Sequence, residues 1–267
     1  SPSLISISTP RSAQKPWPES RRIRVVRSSA ATMSEAEVFG SGVWVLSSTA
    51  QTVAPGGSVA VVADSAVTRE LDGHTVRISN PDKVYFPATG ATKLDLVHYY
   101  QAVARPILRA MRGRPVLLER YPDGAGAKSF FQKRVPKGSP DWLTTTEVAT
   151  PNGTTSNALV VADIAHVAWA VNMGCLGFHV WPYHADDRDH VDELRVDLDP
   201  VPGLGFDDIR AAAHRVHELL DELGIVARPK TTGSKGLHIY ARLAPRWDAY
   251  QVRSAAVALA RELERRH

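Results

Sequence analysis

The chain has 267 residues, 43% hydrophobic and 22% charged, which excludes wholesale disorder and allows one large domain or two small ones. Its single cysteine, Cys175, excludes an internal disulfide and points to a reducing compartment. The net charge of +4 is uneven: residues 1–32 carry +5 and the other 235 about −1, so a globally basic surface is excluded and any nucleic-acid surface must be a local patch.

Residues 1–32 are rich in Ser, Arg and Pro, with Arg11, Lys15, Arg21, Arg22, Arg24 and Arg27 against the lone acid Glu19. Such a stretch reads as a transit-like or flexible tail, or as sequence upstream of a start at Met33. Residues 33–70 show weak strand signals at Gly42–Leu46 and Val59–Val62. Residues 1–70 are therefore expected to form a tail, and 71–267 the folded domain.

From Leu71 the pattern sharpens. His74–Ser79 alternates as a strand, broken by Asn80-Pro81-Asp82. A helix is predicted from Leu94 to about Met111, with Leu94, Val97, Tyr100, Val103 and Ile107 on one face and a kink at Pro106. Strands follow at Arg114–Tyr121, Ser129–Lys133, Thr146–Ala149 and Ala158–Val161. Asp163 caps a helix through Ile164–Gly174. Gly177–Trp181 and Leu194–Leu198 are strands, and a helix from about Phe206 to Leu223 stops at Gly224. Val226–Pro229 and Leu237–Leu243 flank a Gly/Ser loop, and a last helix starts at Trp247. Asp163, His166 and Asn172 interrupt the most apolar stretch, Ala158 to Trp181, so no membrane span is expected. The elements predict an α+β fold with a mixed central sheet flanked by helices.

The most informative stretch is Val196-Asp197-Leu198-Asp199-Pro200. Alternate strand residues share a face, so Asp197 and Asp199 stand side by side. Adjacent carboxylates stay ionised when a cation lies between them; otherwise one holds a proton. Paired carboxylates on a strand suit Mg²⁺ or Mn²⁺ in phosphoryl transfer, and also occur by chance at solvated strand ends.

Thr231-Thr-Gly-Ser-Lys-Gly-Leu-His-Ile-Tyr240 is the second feature. Gly233 and Gly236 permit tight geometry, and Ser234, Lys235 and the loop amides suit an anion such as phosphate. His238 and Tyr240 share a strand face. The same composition also makes an ordinary hairpin. His179, in an apolar strand, reads as either a core imidazole or a ligand. The run from His184 to Glu193 has no regular ligand spacing and reads as a solvated loop. Phe130 and Phe131 lie among Lys128, Lys133 and Arg134. Strand alternation lets one ring pack inward and the other stack on a base. Asn80, Lys83 and Lys93 bracket a turn where two lysines either hold a phosphate or face water.

Taken in order, Asn80-Pro-Asp-Lys-Val-Tyr-Phe-Pro-Ala-Thr-Gly, Phe130-Phe-Gln-Lys, Phe178-His-Val-Trp, Val196-Asp-Leu-Asp-Pro and Gly233-Ser-Lys-Gly-Leu-His resemble the polymerase domain of bacterial DNA ligase D and its stand-alone actinobacterial relatives. These belong to the archaeo-eukaryotic primase superfamily. The resemblance runs from about Leu71 to His267. It implies a template-directed nucleotidyltransferase of non-homologous end joining that prefers Mn²⁺ and favours ribonucleotides. Asp197 and Asp199 would bind metal. Ser234, Lys235 and His238, with His179, would contact the incoming NTP or dNTP. Asn80, Lys83 and Lys93 would hold the 5′-phosphate of a DNA end, and Phe130 or Phe131 would stack on a template base. Ku and a ligase are the implied partners, and a cytoplasmic, nucleoid-associated location is implied.

Two departures stand out. The family carries a third catalytic carboxylate on a strand beyond the helix that starts near Trp247, and this sequence stops at His267. The resemblance therefore implies a primase-like core short at its C-terminus, with one metal ligand missing and an apolar sheet edge exposed. Glu119 stands near a position where relatives would carry a basic residue. Two rival readings remain: a non-catalytic module that binds 5′-phosphorylated DNA ends, and a metal-dependent phosphohydrolase built on the same aspartates.

Overall fold

The structure is a computed structural model that describes residues 6–7 (backbone only), 65–149, 154–233 and 235–267. Two antiparallel sheets, each with its own helical cover, carry the fold. The first 60-odd residues contribute one described piece, β1 (Ser6–Ile7). The strand signals at 42–46 and 59–62, and Ser234, lie outside the described residues.

A hairpin comes first: β2 (Ala66–Leu71) against β3 (His74–Ser79), turned at Asp72-Gly73 with φ of +46° and +82°. Two positive φ values make the turn whose twist suits a two-residue hairpin. Strand β2 thus starts at Ala66, five residues before Leu71. Strands β4 (Val84–Phe86) and β5 (Ala91–Thr92) bracket the next bend.

The predicted 94–111 helix is two helices, α1 (Lys93–Ala102) and α2 (Ala104–Met111), broken at Val103 rather than kinked at Pro106. Proline cannot donate to the carbonyl four residues back, here that of Ala102, and its ring crowds it. Breaking at Val103 places Pro106 in the first turn of α2, where no such donor is required. Thr92 and Asp95 cap α1 reciprocally: the Asp95 amide donates to Thr92 Oγ1 and the Thr92 amide to Asp95 Oδ2.

The first sheet has the order β10-β6-β9-β8, built from β6 (Pro115–Arg120), β8 (Thr145–Ala149), β9 (Thr155–Val160) and β10 (Cys175–Val180). Strand β7 (Phe130–Gln132) pairs with the far end of β6. Helix α3 (Ile164–Asn172), apolar all round and capped by Asp163, packs on it with α1. The opposite face carries Leu117, Val148, Ala158 and Trp181.

The second sheet has the order β1-β11-β13-β12, built from β11 (Val191–Leu198), β12 (Ala227–Thr231) and β13 (Leu237–Trp247). Leu194, Val196, Leu198 and Ile239 point into a core closed by α4 (Phe206–Glu222) and α5 (Ala249–Arg266). The α4 stripe of Ile209, Val216 and Leu220 has helical spacing, and each such burial contributes roughly 1.5–3 kcal/mol. The outer side of β11 pairs with β1, Ser6 opposite Asp197 and Ile7 opposite Val196.

The α+β class stands, and every described pairing within the two larger sheets is antiparallel. Three of these pairings, β6–β7, β8–β9 and β12–β13, join strands close in the chain, where parallel pairing would need a long crossover. Among the described residues no helix is long and apolar enough to cross a membrane.

Candidate active site

The polar face of the second sheet follows from strand alternation. With Val196, Leu198, Leu237 and Ile239 in the core, Arg195 and Asp197 on β11 and His238 and Tyr240 on β13 face the other way. Register sets Asp197 opposite His238 and Arg195 opposite Tyr240. His238 Nε2 lies 3.3 Å from Asp197 Oδ1, but out of line: Oδ1 is buried and makes no hydrogen bond. Asp199 follows one residue beyond β11 and is exposed.

The Gly/Ser loop closes over this end of the sheet. Thr232 Oγ1 accepts from the Gly236 amide at 3.2 Å, and the Thr232 amide donates to the Gly236 carbonyl at 3.2 Å. A Cβ on Gly236 would stand 2.5 Å from Asp199 Oδ1 and 2.6 Å from the Leu198 carbonyl oxygen. Glycine there lets the loop backbone reach the carboxylate. Lys235 is exposed beside it.

These residues fit a hard divalent cation. A buried carboxylate oxygen with no hydrogen bond is costly unless something positive meets it. Among the described residues no group of three His, Cys, Asp or Glu side chains is placed to hold a metal, so any cation here would rest on fewer protein ligands. One or two carboxylates completed by water and substrate phosphate is a common Mg²⁺ arrangement.

Arg195 ties this face to the first sheet. Its Nη1 donates to the Val180 carbonyl and its Nη2 to that of Trp181, at the end of β10. His179 therefore sits one residue from the junction. Its Nε2 lies 3.1 Å from Glu119 Oε2, and the Phe131 ring meets it edge-on at 5.2 Å. Glu119 also accepts from Tyr121 at 2.8 Å and Ser129 at 3.1 Å. Burial pushes the Glu119 carboxyl up, but these hydrogen bonds outweigh it and hold the group below the usual glutamate range. Gly177, opposite Glu119, makes the pair possible, since a Cβ there would stand 2.7 Å from Glu119 Oε2. The cross-strand register alone brings Glu119 to His179, and no local sequence pattern announces it.

Both phenylalanines are exposed, Phe130 by 45% and Phe131 by 37%, so neither packs inward as alternation allowed. Strand β7 lies at the margin of the sheet and, among the described residues, pairs with β6 alone. Phe130 lies under the Arg120 guanidinium at 5.1 Å. With Gln132, Lys133, Arg134 and Thr154–Ser156 the rings line an open groove of about 440 Å³.

The bend before α1 gathers Asn80, Lys83 and Lys93. Asn80 takes a left-handed conformation, φ +48°, and is exposed. Lys83 Nζ donates to the Pro122 carbonyl at 2.6 Å and lies 3.5 Å from Asp123. Lys93 is only 5% exposed and donates to the Ser79 carbonyl at 2.7 Å. Burial, and then the charge of Lys83, lower its pKa. Two cations close enough to oppose one another suit an anion between them.

The acidic run divides. His190 pairs with Asp187 on the surface, whereas Asp192 and Glu193 turn inward to Arg114. Only its first part is the solvated loop expected.

Residues 92–267 match the LigD primase-polymerase domain family. The chain is 35% identical over 171 residues to the multifunctional non-homologous end joining protein LigD of Mycolicibacterium smegmatis, covering 63% of this chain and 22% of that protein. It is 35% identical over 192 residues to LigD of Pseudomonas aeruginosa, covering 71% and 22%. The bifunctional LigD of Bacillus subtilis is 31% identical over 176 residues, covering 66% and 28%. The match thus spans about a quarter of these relatives' length. Among solved structures, the polymerase domain of Mycobacterium tuberculosis ligase D in complex with DNA superposes with a TM-score of 0.67 at 32% identity, covering 71% of this chain and 69% of that one.

Proposed function

Since the chain belongs to the LigD primase-polymerase domain family, we propose that it is a template-directed nucleotidyltransferase acting at DNA breaks in non-homologous end joining. The observation that carries this reading is the buried, unbonded Oδ1 of Asp197. It stands opposite His238, beside a glycine loop that makes room for Asp199.

Asp197 and Asp199 would hold Mn²⁺ or Mg²⁺, which when bound neutralises charge on the α-phosphate and lowers the pKa of an attacking 3′-hydroxyl. The remaining parts belong to the chain. Lys235 and His238, with Ser234 in the same loop and His179 across the junction, would bind the triphosphate of an NTP or dNTP. Lys83, Lys93 and Asn80 would hold the 5′-phosphate of the downstream strand. Phe130 or Phe131 would stack on a template base, with Lys133 and Arg134 along its backbone. The solved relative is bound to DNA, which supports DNA as the substrate here.

The test is nucleotide addition to 5′-phosphorylated, gapped DNA with Mn²⁺, lost in Asp197→Ala. A protein that adds nothing, and whose Asp197→Ala variant binds nucleotide equally well, overturns the reading. One observation favours a second reading, DNA-end binding without catalysis: Lys83 and Lys93 meet at one bend, where the charge of the first lowers the pKa of the second. That reading expects 5′-phosphate-dependent DNA binding with no metal-dependent nucleotide binding.

A further inference from the structure

Tyr240 lies two residues from His238 on the same face of β13, its hydroxyl 3.3 Å from His238 Nδ1. The other ring nitrogen, Nε2, lies 3.3 Å from Asp197 Oδ1. Below them Arg195 sits 5.4 Å from the centre of the Tyr240 ring and is itself held by Glu193 and two carbonyls of the first sheet. We infer that Tyr240 is a positioning residue: its hydroxyl, at Nδ1, fixes the orientation and tautomer of the His238 ring so that Nε2–H faces the anionic ligand. This rests on the reading of the loop as a triphosphate site.

The donors and acceptors leave one consistent arrangement for a neutral ring. A phosphate oxygen of the ligand only accepts, so an Nε2 lone pair turned toward it would be opposed. The proton therefore belongs on Nε2, and Nδ1 accepts from the tyrosine. Burial, partly offset by Arg195, raises the Tyr240 pKa and keeps the phenol a donor. Asp197 Oδ1 makes no hydrogen bond to the ring, so the phenol at Nδ1 is the group placed to select the tautomer. The other tautomer would turn a lone pair toward the phosphates and lose a charge-assisted hydrogen bond.

The test uses the protein labelled with ¹⁵N-histidine, with diamagnetic Mg²⁺ at about pH 8. The His238 nitrogen shifts of the unsubstituted protein are expected to be those of the Nε2–H tautomer. Tyr240→Phe keeps the ring under Arg195 and is expected to move them toward Nδ1–H. Shifts that do not change overturn the inference. A second arm measures ATP binding with Mg²⁺. Tyr240→Phe is expected to weaken it between about two-fold and ten-fold. His238→Gln places a fixed N–H near the Nε2 position and is expected to make binding insensitive to Tyr240→Phe. Equal weakening in both backgrounds would mean that the tyrosine only packs, and would overturn the inference. A protein that binds no ATP at all counts against the triphosphate reading, whereas the nitrogen spectrum still decides the role of Tyr240.

Discussion

Arg114 grips Asp192 with two parallel hydrogen bonds, Nη1 to Oδ1 at 2.6 Å and Nη2 to Oδ2 at 2.5 Å, across the junction of the two sheets. The arginine is 1% exposed, and its carboxylate partner also meets Arg242 and His184. Asp192→Leu should cost about 3–5 kcal/mol, because it leaves a buried guanidinium without its main partner. Urea unfolding measures this. Adding Arg114→Met should recover much of the loss, and a double variant as unstable as the single would contradict the account.

The same pair sets an acid limit. Burial raises the Asp192 pKa, but the Arg114 hydrogen bonds and the charges of Arg114, His184 and Arg242 prevail, so it falls below its ordinary 3.8. A carboxyl with a depressed folded pKa stabilises the fold above its unfolded value, and that share is lost as pH falls through the folded pKa. Stability measured from pH 5 down to about 2 should fall less steeply in Asp192→Asn than in the unsubstituted protein.

Asp197→Asn removes charge from a buried oxygen that makes no hydrogen bond. Its stability without metal should hold or rise, by up to about 2 kcal/mol. Mn²⁺ at ten times its Kd should stabilise the unsubstituted protein by about 1.4 kcal/mol and the variant hardly at all. Thermal melts with and without Mn²⁺ decide it, and equal shifts in both proteins would place the metal elsewhere.

Gly236→Ala places a methyl where Asp199 Oδ1 and the Leu198 carbonyl stand. The loop must shift, at a cost of about 1–3 kcal/mol. Nucleotide binding should weaken more than Tm alone would suggest, because Asp199 and Lys235 move together. Calorimetric titration with nucleotide alongside the melt separates the two effects.

Lys93→Met replaces a buried ammonium with an apolar chain of similar length. Stability should change by no more than about 1 kcal/mol, since the Ser79 carbonyl loses a donor while the burial of a charge is relieved. The preference for 5′-phosphorylated over 5′-hydroxyl DNA ends should disappear. Fluorescence anisotropy with the two end types reads it, and an unchanged preference would remove Lys93 from the phosphate contact.

Local signals read well where the local pattern is the cause. The Asp163 cap with its apolar run defines α3, and alternation around Asp197 places both β11 and its polar face. The Asp72-Gly73 pair between Leu71 and His74 is a hairpin signal of the same kind, but the reading of residues 1–70 as a tail overlooks the strand from Ala66. Pro106 announces an interruption, but its position depends on which carbonyl the ring would strike. The cross-strand partnerships were not legible. Glu119 meets His179 across sixty residues through the β6–β10 register, and Arg114 meets Asp192 across the junction of two sheets. The exposure of Phe130 and Phe131 also depends on where the sheet ends, which a three-residue strand does not reveal. The pairing of His238 with Tyr240 needs only alternation, yet the hydroxyl's target depends on which way the imidazole turns.

The two apolar cores draw on separate stretches of chain, Leu71–Leu176 with its neighbours in β10 and Leu194–Leu263, and the junction between them is lined by Arg114, Arg195 and Arg242 with their carboxylates. Each half therefore has the makings of a separate foldon, since its burial is satisfied within one continuous segment. Native-state amide exchange should resolve two cooperative openings, one for the sheet that bears Asp197 and one for the sheet that bears His179. Acid or high salt, which weaken the charged junction, should widen the gap between their opening energies and global unfolding.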